Sequence, residues 1–230
     1  MDFDFDFDFE IPTEPKQFNV IDICGLVKKM KSKERKLFFI DDEVEQLDVL
    51  LRNPPTKQEC YKMLSVGGGF SSIGLIKYIA ELEPVKEMYV STFRIGRKQF
   101  DVLTELKDKG KLGKCVFITS QTQQKVDGAM FYNGTTYNYY EYICEKCRDY
   151  GWIIKTYDNH SKLILMRTEK NFYVVETSSN LNENPKMEQF SFENDESLYE
   201  WYKQLFIELI KERKKNAVQS DKPSKPYPAK

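Results

Sequence analysis

Histidine is nearly absent from this chain: His160 is the only one in 230 residues. A metal centre or catalytic pair made of several imidazoles from one chain is therefore excluded. No apolar run approaches the roughly 18 residues of a membrane span. The N-terminus lacks the basic-then-apolar layout of a secretion signal, so a reducing, intracellular setting is expected. Cysteine is sparse too. The five present make an odd number, and their spacings suggest no disulfide framework. Cys144-x-x-Cys147 has no second pair at metal spacing and does not open a helix after a strand, so it reads as reduced, structural cysteine. Gly67-Gly68-Gly69 lacks the Gly-Lys-Ser/Thr ending of a P-loop and the Gly-x-Gly-x-x-Gly spacing. It lies between an expected strand and an expected helix, with Ser71 and Ser72 available as caps. It reads as a tight turn or as an anion-binding helix N-terminus.

Aromatic side chains are plentiful, with 16 Phe and 14 Tyr in 27.2 kDa, enough for one good core flanked by tails. The net charge of −1 is unevenly spread. Residues 1–15 carry −6, residues 211–230 carry +5, and the stretch between is neutral. The body therefore lacks the broad cationic surface of a nonspecific DNA binder, and any nucleic acid must be held by a local groove or the basic tail. The opening Asp-Phe repeat has strict period two, which would give a strand one aromatic and one acidic face. Residues 1–18 read as a disordered acidic-aromatic tail, serving either solubility or docking to a partner's sheet edge.

Residues 19–215 read as the folded domain, with 20–55 as a possible separate docking element ended by Asn53-Pro54-Pro55, and 216–230 as a basic flexible tail. The cluster at residues 28–36 reads as a solvated helix face. Strands are expected at 61–66, 87–93, 114–120 and 152–157, and helices at 71–82, 98–109 and 137–150. This alternation predicts an α/β domain with a mixed sheet covered on both faces. Residues 160–166 and 172–176 read as a hairpin appended to that sheet. The last helix carries the stripe Leu198, Trp201, Tyr202, Leu205, Phe206, Leu209, Ile210, expected to pack on the core or serve a dimer interface. Ser197-x-x-Glu200 reads as its capping box.

The chemically loaded stretch is His160-Ser161-Lys162, with the turn Thr177-Ser178-Ser179-Asn180 and Glu188 downstream. In a strand, residues two apart share a face, so His160 and Lys162 would project together. An imidazole beside an ammonium suits phosphodiester chemistry: one takes the phosphoryl group, the other neutralises its oxygens.

His-x-Lys, a second strand at 171–177, the Ser-Ser-x-Asn turn, residues 184–190 and the closing segment 194–202 together resemble the phospholipase D superfamily. The specific part covers roughly residues 152–205, and is similar to the single-motif branch found in phages and mobile elements. Two positions depart from its pattern: Arg167 stands where the family has an aspartate, and the glycine before the serine is replaced by Thr177 or Ser178. Arg167 reads as a surface partner of Glu169 or Glu176, or as an extra charge near the phosphate.

The resemblance implies a phospholipase D-like fold with no cofactor and no metal. His160 would attack phosphorus, Lys162 and Asn180 would hold phosphate oxygens, Ser178 would support that pocket, and Glu188 would orient the imidazole. A second register of the turn puts Ser179 and Asn182 in those roles. A second histidine must protonate the leaving oxygen, so activity implies a homodimer with one His160 from each chain. The expected function is a metal-independent phosphodiesterase, a nuclease rather than a lipase, in a bacterial cytoplasm or associated with a virion. The alternative is a catalytically weakened domain that binds phosphate or DNA, or a structural module, in a phage or mobile-element assembly. The tail at 1–18 is the expected contact for a protein partner.

Overall fold

The computed structural model describes residues 40–66, 69–126, 130–132, 135–137, 139–182 and 186–219. All lie in one unit, Phe39–Lys230. The Asp-Phe repeat, the basic cluster at 28–36 and residues 220–230 lie outside the described residues, and 20–55 is described only from residue 40.

The described chain is a mixed α/β arrangement. In order it forms α1 (Ile40–Leu51), β1 (Cys60–Ser65), α2 (Ser72–Leu82), β2 (Val85–Ser91), α3 (Arg97–Asp108), β3 (Leu112–Ser120) and α4 (Gln121–Val126). There follow β4 (Met130–Tyr132), β5 (Thr135–Tyr137), α5 (Tyr139–Asp149), β6 (Ile153–Tyr157), β7 (Leu163–Arg167), β8 (Phe172–Thr177), β9 (Glu188–Asn194) and α6 (Glu196–Gln219). Seven strands make one sheet in the order β1-β9-β8-β7-β2-β3-β6, and β4 pairs with β5 apart from it. The β2-β3-β6 part is parallel; from β2 through β7, β8 and β9 to β1 every pair is antiparallel.

The sheet divides two cores. One face packs under α1, α2, α3 and α5 through Leu47, Ile76, Phe100, Phe117 and Trp152. The other packs under α6 through Ile118, Leu165, Val174, Tyr199 and Phe206. Residues along β7 alternate between the two, Ile164 and Met166 to the first, Leu163 and Leu165 to the second. A strand buried on both faces reads as one unbroken apolar run, as Leu163-Ile164-Leu165-Met166 does. Each such side chain contributes about 1.5–3 kcal/mol of burial.

That run explains one correction. β7 and β8 are not a hairpin appended to the sheet, since β7 pairs with β2 from Glu87↔Arg167 to Ser91↔Leu163 and lies at the sheet's centre. A second correction concerns α6. Its cap is Asp195, whose Oδ1 accepts from the Leu198 amide at 2.9 Å, rather than the Ser197 box. Its packing stripe is also rotated: Tyr199 and Phe206 are buried, while Trp201 and Leu205 are 58% and 39% exposed. The helix continues past Asn216 to Gln219.

Helix ends follow from local chemistry. α3 and α5 end alike, at Gly110 (φ 70°) and Gly151 (φ 67°). Their next residues, Lys111 and Trp152, return an amide to the carbonyls of Leu106 and Cys147. α2 begins at Ser71, whose hydroxyl accepts from the Gly74 amide. Glu43 of α1 lies there too, accepting the Ser71 amide at 2.9 Å and its hydroxyl at 2.6 Å. A buried carboxylate thus stands at the helix N-terminus that follows the glycine run, where the helix dipole favours negative charge.

Candidate functional site

The candidate residues gather at one end of the sheet. β2 and β3 finish there at Ser91 and Ser120, β8 at Thr177 and β1 at Ser65, while β7 starts at Leu163 and β9 at Glu188. The register holds them level, with Ser91↔Leu163, Leu163↔Glu176 and Ser65↔Glu188. The crevice beyond the carboxyl ends of parallel strands is where open α/β sheets place ligands. His160, Lys162, Ser178, Asn180 and Glu188 lie in the loops at this end or at the adjoining strand ends.

His160 and Lys162 do stand together, though for a different reason from the one expected. They precede β7, which begins only at Leu163. Their pairing comes from a direct bond: Lys162 Nζ is 3.0 Å from His160 Nδ1 and 2.6 Å from the His160 carbonyl oxygen. His160 is exposed and Lys162 half-buried. Burial holds the Lys162 ammonium below the ordinary lysine range, and the Glu188 carboxylate opposes that effect. An ammonium only donates, so Nδ1 is the acceptor and a neutral ring carries its proton on Nε2.

Ser178 and Glu188 form a second pair. The Ser178 hydroxyl donates to Glu188 Oε2, and Ser178 Oγ accepts the Gln189 amide at 3.1 Å. Thr177 Oγ1 donates to the Gln189 carbonyl at 2.8 Å and accepts the Ser179 amide at 2.9 Å, which fixes the turn. Asn180 joins from the other side, its Oδ1 accepting the Phe93 amide at 3.2 Å. Phe93 in turn sets its ring 5.4 Å from the His160 ring. Contacts thus run from Asn180 through Phe93 to His160 and Lys162, and by charge from Lys162 to Glu188 and Ser178. In the other register, Ser179 is buried and its hydroxyl donates to the Asn180 carbonyl at 3.2 Å, while Asn182 backs onto Gly96.

Several further residues converge here. Ser72, at the start of α2, donates to the Ser179 carbonyl at 3.2 Å. Ser91 and Ser161 share a hydroxyl–hydroxyl bond of 2.6 Å. Gln123 grips both the amide and the carbonyl of Ile95. Single polar residues after strands are ordinary in sequence; only their convergence marks them.

Arg167 lies at the far end of β7 from His160, across five strand residues or about 16 Å. Its partner is neither Glu169 nor Glu176 but Glu87, at 2.8 Å. Glu169 pairs instead with Lys86, and Glu176 accepts from Tyr202. Arg167 is therefore remote from the imidazole.

Cys144 and Cys147 lie on α5, and burial pushes the Cys147 thiol up to about 12. Cys115 is buried and likewise raised. Such thiols stay protonated and inert.

A groove of about 780 Å³ opens beside Lys162, between the sheet face and α6. Lys62, Leu64, Ser161, Tyr202 and Phe206 are among its walls. No helix among the described residues is long and apolar enough to cross a membrane.

No family model and no curated protein matches the chain. Among solved structures it is similar to the phospholipase D family member Nuc from Salmonella typhimurium, at 12% identity and a TM-score of 0.46 over 65% of this chain and 93% of that one. It is similar to polyphosphate kinase from Porphyromonas gingivalis at 13% identity and a TM-score of 0.48, over 86% of this chain and 28% of that one. It is also similar to phosphatidylserine synthase from Haemophilus influenzae at 16% identity and a TM-score of 0.43, over 64% of this chain and 38% of that one.

Proposed function

We propose that the chain is a phospholipase D-like phosphodiesterase, a nuclease that works as a homodimer through a phosphohistidine. One observation carries this reading: the Lys162 ammonium bonded to the His160 imidazole, with Glu188 acting on that lysine, at the crevice where Ser178 and Asn180 arrive.

The bond also dictates an order of events. Attack through Nε2 needs the ring proton on Nδ1, so Lys162 must first leave Nδ1 for the phosphate oxygens. The freed imidazole then bonds to phosphorus as the bond to the leaving oxygen breaks. That oxygen takes a proton from His160 of the partner subunit. Water, giving its proton to that same second imidazole, attacks phosphorus and releases His160. Lys162, Ser178 and the Asn180 amide, whose Oδ1 is held by Phe93, would stabilise the charge on the phosphoryl oxygens. The steps balance without a metal or cofactor. A single histidine per chain makes the second subunit a requirement.

Nucleic acid is the favoured substrate because the groove beside Lys162 offers a cation, Lys62, and an aromatic ring, Tyr202, for the nucleotide next to the scissile phosphate. The Asp-Phe repeat at residues 2–9 is proposed as the contact for a protein partner, and loss of that partner on deleting residues 1–15 tests it.

The decisive experiment is cleavage of single- and double-stranded DNA in EDTA, parent against His160→Ala, with solution mass measured alongside. Cleavage by a dimer, lost in the variant, is the expected result. Cleavage undiminished in His160→Ala, or sustained by a monomer, overturns it. A second reading, a phosphate- or DNA-binding module without turnover, is favoured by the same Lys162 bond, since it leaves Nδ1 engaged and the ring in the tautomer that cannot attack through Nε2. No cleavage, with phosphate still raising the melting temperature, is its signature.

A further inference from the structure

Asn159 spends its whole amide on this site. Its Nδ2 lies 2.9 Å from Ser91 Oγ, 3.1 Å from the Ile118 carbonyl and 3.3 Å from the Thr92 carbonyl. Its Oδ1 accepts the Ser161 amide at 2.9 Å and the Ser161 hydroxyl at 2.8 Å. Two carbonyls on one side and an N–H on the other leave no choice of amide orientation. One side chain therefore ties the carboxyl ends of β2 and β3 to the residue between His160 and Lys162.

The need for such a tie follows from the local backbone. His160 stands in irregular chain ahead of β7, so no ladder hydrogen bonds hold it. Leaving such a residue loose restores its backbone entropy, which disperses an exposed ring over many positions. We propose that Asn159 is a positioning residue, which sets the 159–162 segment on the two parallel strands so that the imidazole meets Lys162 and Phe93. The inference rests on reading His160 as the reactive group, but the placement of the ring can be tested apart from that reading.

The lone histidine makes the test clean, because its ring protons give the only imidazole signals of the full chain. The Phe93 ring, 5.4 Å away, should displace those signals from their free-imidazole positions, and Phe93→Leu provides the reference. Asn159→Ala and Asn159→Asp are expected to remove the displacement; in Asn159→Asp a carboxylate oxygen would face two carbonyls. The melting temperature should fall by only about 2–4 °C. Ser161→Ala, which deletes one arm alone, should give a smaller displacement in the same direction, and it keeps the test alive if the Asn159 variants unfold. Inorganic phosphate should shift the parent's signals, and bind about tenfold more weakly to Asn159→Ala, the equivalent of about one hydrogen bond. Unmoved imidazole signals in the folded variants overturn the positioning role. Phosphate that leaves the parent's signals in place overturns the phosphate-site reading instead, and with it any catalytic meaning of the positioning.

Discussion

Lys162 Nζ lies 3.0 Å from His160 Nδ1, so the group expected to bind phosphate and the group expected to attack it are bonded to each other. A ligand anion would compete with the imidazole for that ammonium. Vanadate or phosphate should therefore raise the melting temperature of the parent, and not that of Lys162→Ala. Equal stabilisation of the two would remove Lys162 from the site.

The pH dependence of that stabilisation has a definite sign. Burial lowers the Lys162 value below the ordinary 10.5, so its charge is lost at a lower pH than that of an exposed lysine. Anion binding should weaken as pH rises through that lowered value. Ligand-free stability moves the other way. The unfolded chain holds the lysine proton more tightly, so this group favours folding increasingly as pH rises between its folded and unfolded values. Anion stabilisation that persists unchanged above pH 10.5 would contradict this.

Glu87 anchors the opposite end of the sheet. Its Oε1 takes Lys203 at 2.7 Å, Arg167 at 2.8 Å and the Tyr199 hydroxyl at 3.1 Å. Burial alone would raise its carboxyl, but the two cations overcome that and hold it below the usual range. Glu87→Gln should cost about 3 kcal/mol at neutral pH, because it removes the carboxylate that Arg167 and Lys203 share and leaves Lys203 only Glu200 at 3.4 Å. The cost should shrink as pH falls through the depressed value, where the parent itself loses the charge. Urea unfolding of both proteins across pH 3–7 would measure it, and a constant difference would refute the charge assignment.

α6 gives a paired prediction. Phe206→Ala should cost about 3–5 kcal/mol, because the ring packs against Tyr89 in the second core. Trp201→Ala should stay within about 0.5 kcal/mol, although both residues belong to the same sequence stripe. Comparable losses by chemical denaturation would mean that Trp201 is covered by something further, such as a second copy.

Gly74 reports on α1. A Cβ there would meet Glu43 Oε2 at 2.2 Å, so Gly74→Ala should destabilise despite a helix-propensity gain of about 1 kcal/mol. Adding Glu43→Ala should recover part of that loss, a non-additivity expected of touching residues. Strict additivity in thermal unfolding would detach α1 from α2.

Much of the fold was legible in the sequence. Leu163-Ile164-Leu165-Met166 announced a buried strand, and the alternation from residue 61 to 157 announced an α/β sheet, because burial and period are local properties of a chain. The same runs did not say that β7 lies between β2 and β8, since pairing partners are chosen by long-range contacts. His160, Lys162, Ser178, Asn180 and Glu188 stood out by type and spacing. Asn159 and Phe93 did not, because their roles rest on carbonyls and rings supplied by β2, β3 and the loop after β8. By itself the sequence determined which side chains are available for chemistry, as side-chain type is written in it. Only the tertiary structure decided how they meet. Glu188 meeting Ser178 and Arg167 meeting Glu87 depend on register between strands, and no local pattern encodes that register.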